Sequence, residues 1–409
     1  MLKRIPTHQL TLGMHIDGFC APWMEHPFWR NHFVLSDPED IVRIRASTVQ
    51  QLWINTELGL DVAPGPDAST ASPADPAAAA TETVLARDTT PTPASKEYQR
   101  AARICSKSKE AVMTMFAAAQ MGQAVDTELA THLVREISDS IVRNPDALVS
   151  LARLKTADNY TYMHSVAVCA LMVSLSLQMQ LDAEQTRCAG MGGLLHDLGK
   201  AVVPLEVLNK PGKLTDAEFD IIKSHPVAGE SMLLGDPTVD SIVLDIVRHH
   251  HEKMDGKGYP DGCKGEDISL FAKMGAVCDV YDAITSDRPY KKGWDPSEAL
   301  RKMASWTDGH LEPKIFQTFV KSMGIYPIGS LVRLSSGRLA VVTEQHRDTL
   351  LKPVVKAFFS TKSDMRIPPF MVDLAVPGCA EKISAREDPK KWNFPDLNPL
   401  WSGFEPGSW

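Results

Sequence analysis

The chain has 409 residues, 44% hydrophobic and 23% charged; this excludes a disordered protein and is too long for one ordinary core, so two or three domains are expected. A formal net charge of −8 excludes a general nucleic-acid binder, which needs a basic face against phosphates, but leaves a small phosphate ligand held through metal compatible. Seven scattered cysteines with no C-x-x-C pair exclude a disulfide framework or a zinc ribbon and fit reduced thiols. The N-terminus lacks the apolar core of a signal peptide, and the longest apolar helix candidate, Ser165 to Leu177, is too short to span a bilayer. A cytoplasmic protein with no membrane span is expected.

Residues 1–62 mix short apolar runs with turn residues, and Asp37-Pro38-Glu39-Asp40 predicts a helix start, so a small α+β domain with a candidate regulatory role is expected. Trp23, Phe28, Trp29 and Trp53 are expected to fill its core. Residues 63–96 are Pro, Ala, Thr and Ser with little to bury, which predicts a flexible linker. From Glu97 onward apolar residues recur at three- and four-residue spacings, predicting helices over 98–120 and 127–141. Further helices are expected from Asn144-Pro145-Asp146 to Leu154, from near Asn159 to Leu181, and from Asp182 into His196-Asp197, stopping at Gly199. Thr215-Asp216-Ala217-Glu218 is a capping box whose helix is expected to end at His225-Pro226. Asp279 and Asp282 lie on a helix from Met274 to Thr285, and Asp295-Pro296 opens another, so residues 97–325 are expected to form an all-α domain. Beyond it, 326–409 predicts a β-hairpin around Ser335-Ser336-Gly337, a strand from Val354 to Phe359, and an irregular C-terminal extension.

Six of the 13 histidines fall between His164 and His251, mostly near the ends of apolar helices where they converge in a bundle core. Two divalent ions held side by side need a bridging carboxylate and enough imidazoles to fill each shell. Asp197 is the natural bridge; His164, His196 and Asp279 complete one ion, and His225, His250 and His251 the other. A water shared by such ions becomes hydroxide near neutral pH and attacks phosphorus, while Lys200 donates to a phosphate oxygen as a point charge. Arg288 and Lys291, in the basic loop that follows Asp279 closely, are candidate contacts for an anionic substrate. Histidine-rich ligation with carboxylates suits iron, manganese or another first-row ion. Asp255-Gly256-Lys257-Gly258-Tyr259-Pro260-Asp261-Gly262 predicts a structured loop directly after the histidine triplet.

Taken together, His196-Asp197 with Gly199-Lys200, His225-Pro226, His250-His251-Glu252, Asp255-Gly256-x-Gly258-Tyr259-Pro260, and Asp279 to Ala283 with Thr285, Arg288-Pro289-Tyr290 and Lys291 resemble the HD-GYP family, a branch of the HD-domain metal phosphohydrolases. The resemblance covers residues 155–325, with the motifs in the family's order, and implies an HD-type helical bundle as catalytic domain. It implies a phosphodiesterase that hydrolyses the bacterial second messenger cyclic di-GMP to linear pGpG and often GMP, with Asp197 and Lys200 catalytic. By position the family's metal ligands fall on His164, His196, Asp197, His225, His250, His251 and Asp279, and its phosphate contacts on Lys200, Arg288 and Lys291. Tyr259 lies in the loop implicated in substrate contact and in meeting diguanylate cyclase (GGDEF) domains. Leu12-Gly13-Met14 and His26-Pro27-Phe28 also resemble a small uncharacterised domain that precedes some HD-GYP proteins and brings no function with it.

The sequence departs from the family where some members carry a third-metal glutamate, four residues before the first histidine: here that place is Tyr160, with Asp158 nearby, so two ions are expected rather than three. Lys257 stands where a small residue is common, a change expected to be tolerated. The other ligand positions are intact, so an active enzyme is expected over a non-catalytic cyclic di-GMP receptor or an HD-type hydrolase of another cyclic dinucleotide or nucleotide. The sequence leaves oligomeric state open, a dimer included.

Overall fold

The computed structural model describes residues 2–19, 33–36, 38–46, 51–56, 58–60, 88–154, 160–287, 293–392, 394 and 396–404. They fall into two compact units, Met1–Thr83 and Val84–Trp409.

The first unit is a four-stranded antiparallel sheet in the order β1-β4-β2-β3, formed by β1 (Leu2–Pro6), β2 (His15–Phe19), β3 (Phe33–Val34) and β4 (Gln51–Asn55). Helix α1 (Pro38–Ala46) precedes β4. Period-two alternation decides what β4 buries: Leu52 and Ile54 join Ile5, Leu10, Met14, Ile16, Leu35 and Ile44 in the core, while Trp53 between them points outward and is 40% exposed. Trp53 is therefore not a core residue, contrary to the sequence expectation. Trp23, Phe28 and Trp29 lie outside the described residues, as does most of the segment expected to be a linker.

The second unit opens with α2 (Ala94–Gln120), which starts inside the segment read as linker because Thr92 and Asp88 are tied to the end of α3 (Thr127–Arg143): Thr92 N–H donates to Arg143 O, and Arg143 donates to Asp88 O. Then follow α4 (Ala147–Ala152), α5 (Tyr160–Gln178), α6 (Ala183–Leu195), a 3-10 turn over Leu198–Val202, α7 (Leu205–Leu208), α8 (Asp216–Lys223), α9 (His225–Leu233) and α10 (Ser241–His249). The bundle ends with α11 (Leu270–Thr285), α12 (Pro296–Ala304) and α13 (Pro313–Met323).

Helix α5 is apolar all round and buried from Met163 to Ser176, which makes it the axis of the bundle. By length and composition it passes for a membrane span, longer than the Ser165–Leu177 candidate, yet 78% of its most apolar stretch is buried inside the fold. The next helices are aimed by their caps. Asp182 and Gln185 close a capping box at the start of α6, and Thr215 and Glu218 close another at α8. Pro226 occupies the first turn of α9, so the His225-Pro226 pair opens that helix instead of ending α8, whose last residue is Lys223.

Beyond α13, strands β5 (Leu331–Leu334), β6 (Arg338–Glu344), β7 (Val354–Ser360), β8 (Met365–Asp373) and β9 (Ile383–Arg386) build a five-stranded antiparallel sheet in the order β8-β7-β6-β5-β9. The sequence pattern missed β8 and β9 because both are edge strands: β8 carries Pro368-Pro369, tolerated only where no second neighbour needs their amides, and is mostly exposed. Two short helices, α14 (Pro389–Trp392) and α15 (Leu397–Ser402), replace the expected irregular end, and Trp401 packs 5.9 Å from the Tyr98 ring on α2. One hydrophobic core runs from Ala94 to Trp401, joining the bundle and the sheet.

Candidate metal centre

Five segments deliver polar side chains to one buried point. His164 comes from α5, His196 and Asp197 from the end of α6, His225 from the first turn of α9, His250 and His251 from the end of α10, and Asp279 from α11. His164, Asp197 and His225 are at most 3% exposed. Their ligand atoms form two overlapping groups, one of His164, His196 and Asp197 and one of Asp197, His225, His250 and His251. Asp197 belongs to both. Its Oδ2 lies 3.6 Å from His164 Nε2 and 3.4 Å from His196 Nε2, while its Oδ1 lies 3.3 Å from His225 Nε2 and 3.9 Å from His250 Nε2. Asp279 adds Oδ1 at 3.0 Å from His164 Nε2, and Oδ2 at 3.6 Å from His251 Nδ1.

The far sides of the imidazoles determine what their near sides present. Nδ1–H of His196 donates to Gly193 O at 2.8 Å, that of His225 to Ile222 O at 2.7 Å, and that of His250 to Val247 O at 3.0 Å. Those bonds fix the tautomer, so each Nε2 turns a lone pair inward. His225 Nε2 and His250 Nε2 face each other at 3.3 Å, and beside them Asp197 Oδ1 is buried with no hydrogen-bond partner. Lone pairs converging on an orphaned carboxylate oxygen repel one another unless a cation stands among them. Two nitrogens about 2.1 Å from one ion and about 90–110° apart sit about 3.0–3.4 Å from each other. His196–His164 and His225–His250 are both 3.3 Å apart at Nε2, so the donor set fits bound metal.

The charge state agrees. Burial and the neighbouring imidazoles hold His250 far below the usual histidine range, and burial pushes His251 down to about 3. His225 is also lowered by burial. Burial opposes ionisation of Asp197, but Lys200 and His196 outweigh it and hold the carboxylate well below the ordinary range; at Asp279, His164 and His251 do the same. Neutral imidazoles beside ionised carboxylates are the protonation states that ligation requires. His164 is the exception: burial lowers its pKa, but Asp279 and Asp282 overcome this and raise it, so a proton on Nε2 stands where a cation would.

This asymmetry predicts an acid-labile metal-free protein. Where folded pKa values lie below the unfolded value of about 6.5, the unfolded chain binds more protons and stability rises with pH. Below pH ~6.5 each of His225, His250 and His251 costs up to ~1.4 kcal/mol per pH unit until its folded pKa is reached, whereas His164, already protonated, contributes nothing there. In urea melts of chelator-treated protein the midpoint should drop steadily from pH 6.5 to 5, and a flat midpoint would contradict these charge states.

Other residues support the ligands. Asp282 Oδ2 lies 2.6 Å from His164 Nδ1 on the side away from the cluster, and orients that ring. Sequence reasoning noted Asp282 on its helix but did not assign it to the site; the signal available was its placement one turn beyond Asp279 on the same helix face. Replacing it with Ala should weaken metal binding ~10–100-fold, with Asn intermediate, in a competition titration against a coloured chelator. Glu252 was also passed over as a site residue: its buried carboxylate accepts the Asp261 and Gly262 N–H groups and ties down the loop carrying Tyr259. That loop lies against the His251–Lys253 main chain, where a Cβ on Gly258 would come 2.4 Å from Glu252 Cα. The Tyr259 ring rests 4.6 Å from the His251 ring and 6.5 Å from the His225 ring.

Lys200 places its ammonium 2.6 Å from Asp197 Oδ2, at the rim of the cluster. Tyr160 stacks nearly parallel on His164, ring centroids 5.7 Å apart, so an aromatic face and not a carboxylate fills the position four residues before that histidine. Arg288, Lys291 and Asp158 lie outside the described residues.

Facing histidines and a shared aspartate inside a helical bundle define an HD-type metal site. Residues 136–315 match the HD domain family model, and residues 2–130 match a domain of unknown function, DUF3391. A Pseudomonas aeruginosa protein named cyclic di-GMP phosphodiesterase is 52% identical over 99% of this chain and 96% of its own. A Xanthomonas campestris protein named cyclic di-GMP phosphodiesterase response regulator is 34% identical, covering 47% of this chain and 52% of its own. A Vibrio cholerae protein named 3'3'-cGAMP-specific phosphodiesterase 1 is 33% identical, covering 41% and 39%. The chain belongs to the HD-GYP family of HD-domain phosphodiesterases.

Proposed function

We propose that this chain is a metal-dependent phosphodiesterase that hydrolyses cyclic di-GMP to linear pGpG and on to GMP, lowering the messenger's level. The observation that carries this reading is the convergence of inward-facing imidazole lone pairs on Asp197, in a chain 52% identical end to end with a protein named for that activity. In this reading His164, His196, Asp197 and Asp279 hold one divalent ion, and Asp197, His225, His250 and His251 a second. Iron or manganese suits that mixture of imidazole and carboxylate. When bound, such ions supply an activated water and neutralise charge on the phosphoryl oxygens.

The protein's own groups do the rest. Asp197 stays ionised and shared between the two histidine groups. Lys200 moves from Asp197 Oδ2 to a non-bridging phosphate oxygen, a short swing for a flexible ammonium. Asp282 holds His164 in one tautomer and orientation, and Tyr259 covers the outer side of His251, limiting water there. Arg288 and Lys291 are assigned to the substrate's phosphates, and the Gly-Tyr-Pro loop to contact with diguanylate cyclase (GGDEF) domains. The chain is assigned to the cytoplasm, with 1–62 as a regulatory domain, a tether from 63 that ends before Asp88 and not at 96, a catalytic domain from there to 325 and 326–409 as a C-terminal extension.

The test is product chromatography after anaerobic purification and loading with iron or manganese. Wild-type protein should release pGpG or GMP from cyclic di-GMP, and chelator-treated protein should release neither. The similarity to a cGAMP-specific enzyme makes cyclic GMP-AMP the comparison substrate, and faster turnover of it would reassign the messenger. Intact substrate with metal bound would rule out the enzyme.

A further inference from the structure

Phe219 is a large apolar side chain that the bundle leaves 46% exposed on the short helix α8. It is not an isolated surface residue. Its ring meets the ring of Tyr259 edge to face, 6.3 Å between centroids and 80° between planes. Tyr259 in turn lies against His251 and His225. An unbroken run of aromatic surface therefore leads from the metal ligands out to Phe219. One helical turn further on, Lys223 Nζ sits 5.2 Å over the Phe219 ring. Its ion pair with Asp220 is exposed and of the kind that contributes little, so the ammonium is free to take another acceptor.

We propose that Phe219 and Lys223 form the base-recognition patch of this site: Phe219 stacks one guanine of the substrate, and Lys223 donates to its O6/N7 edge. The inference rests on the phosphodiesterase reading and adds which residues select the base. An aromatic face stacks on any base and so supplies affinity. Discrimination requires a group at the base edge: guanine presents two acceptors, O6 and N7, to an ammonium, whereas adenine presents N7 beside an amino group that repels it. Lys223 carries three donors on a flexible stem, and from its place 5.2 Å over the Phe219 ring its ammonium can swing aside to the edge of a base stacked there.

The experiment is steady-state kinetics of full-length, metal-loaded protein on cyclic di-GMP and cyclic di-AMP, for wild type, Phe219→Ala, Phe219→Trp and Lys223→Met. Phe219→Ala should raise KM for cyclic di-GMP roughly tenfold while kcat stays within about twofold, and Phe219→Trp should restore KM. Lys223→Met should cut the preference for guanine over adenine roughly tenfold. Metal content should match wild type throughout. An unchanged KM in Phe219→Ala, an unchanged preference in Lys223→Met, or loss of kcat together with metal would each overturn the patch while leaving the phosphodiesterase intact. Inactive wild-type protein would remove both.

Discussion

Replacing Asp197 with Ala should abolish turnover, by roughly 10⁴-fold or more, the scale on which removing a catalytic group acts. Whereas Asp279 meets only His251 of the second group, Asp197 belongs to both histidine groups, with one oxygen toward His164 and His196 and the other toward His225 and His250. Its loss removes a ligand from both groups at once and takes away the partner of Lys200, whose ammonium is 2.6 Å distant. Like charge would then face the ions with nothing to offset it. Asp197→Asn separates charge from shape: it keeps the side chain's size but halves its acceptor capacity, so metal content should fall as well. Metal analysis by mass spectrometry beside the kinetics checks this, and near-normal metal content with normal turnover in either variant would remove Asp197 from the bridge.

The second large effect is expected from a residue with no chemistry of its own. Gly199 lies in the 3-10 turn directly after the His-Asp pair, where it presses against the start of α9. A Cβ there would fall 1.9 Å from the His225 carbonyl oxygen and 2.5 Å from the Gly229 amide, inside the first hydrogen-bonded turn of α9. Neither neighbour is a flexible side-chain tip, so Gly199→Ala must push two backbones apart, and overpacking of that kind costs about 1–3 kcal/mol or more. The displaced backbone carries His225. A shift of about 1 Å in a positioned group costs on the order of 10²-fold in rate, so Gly199→Ala should lose about that much activity with reduced metal affinity. Gly235→Ala is the control, since a Cβ there meets nothing within 4 Å. Equal activity in the two variants would mean that the turn gives way without moving His225.

The helical part of the fold was legible because its signals are local: capping residues at Asp182 and Thr215, and apolar spacing along α2 and α3. His225 was placed at the wrong end of a helix because proline both stops one helix and starts the next, and only the packing of α9 on the 3-10 turn decides which. Strands β8 and β9 were missed because an edge strand needs neither alternation nor free amides. The residues gathered around Asp197 were nameable from motif order, since ligand chemistry restricts residue type. Asp282 and Phe219 escaped because only the folded chain brings them to the site, Asp282 against the His164 ring and Phe219 against the Tyr259 ring.

The claim at the centre of this account is that one carboxylate couples two metal positions into a single hydrolytic site. It is tested most directly by adding iron(II) or manganese(II) stepwise to chelator-stripped protein while following both bound metal and release of pGpG from cyclic di-GMP. Turnover should stay low through the first equivalent and rise with the second, reaching its plateau near two ions per chain. Full activity at one equivalent, or binding of two ions without any turnover, would contradict it.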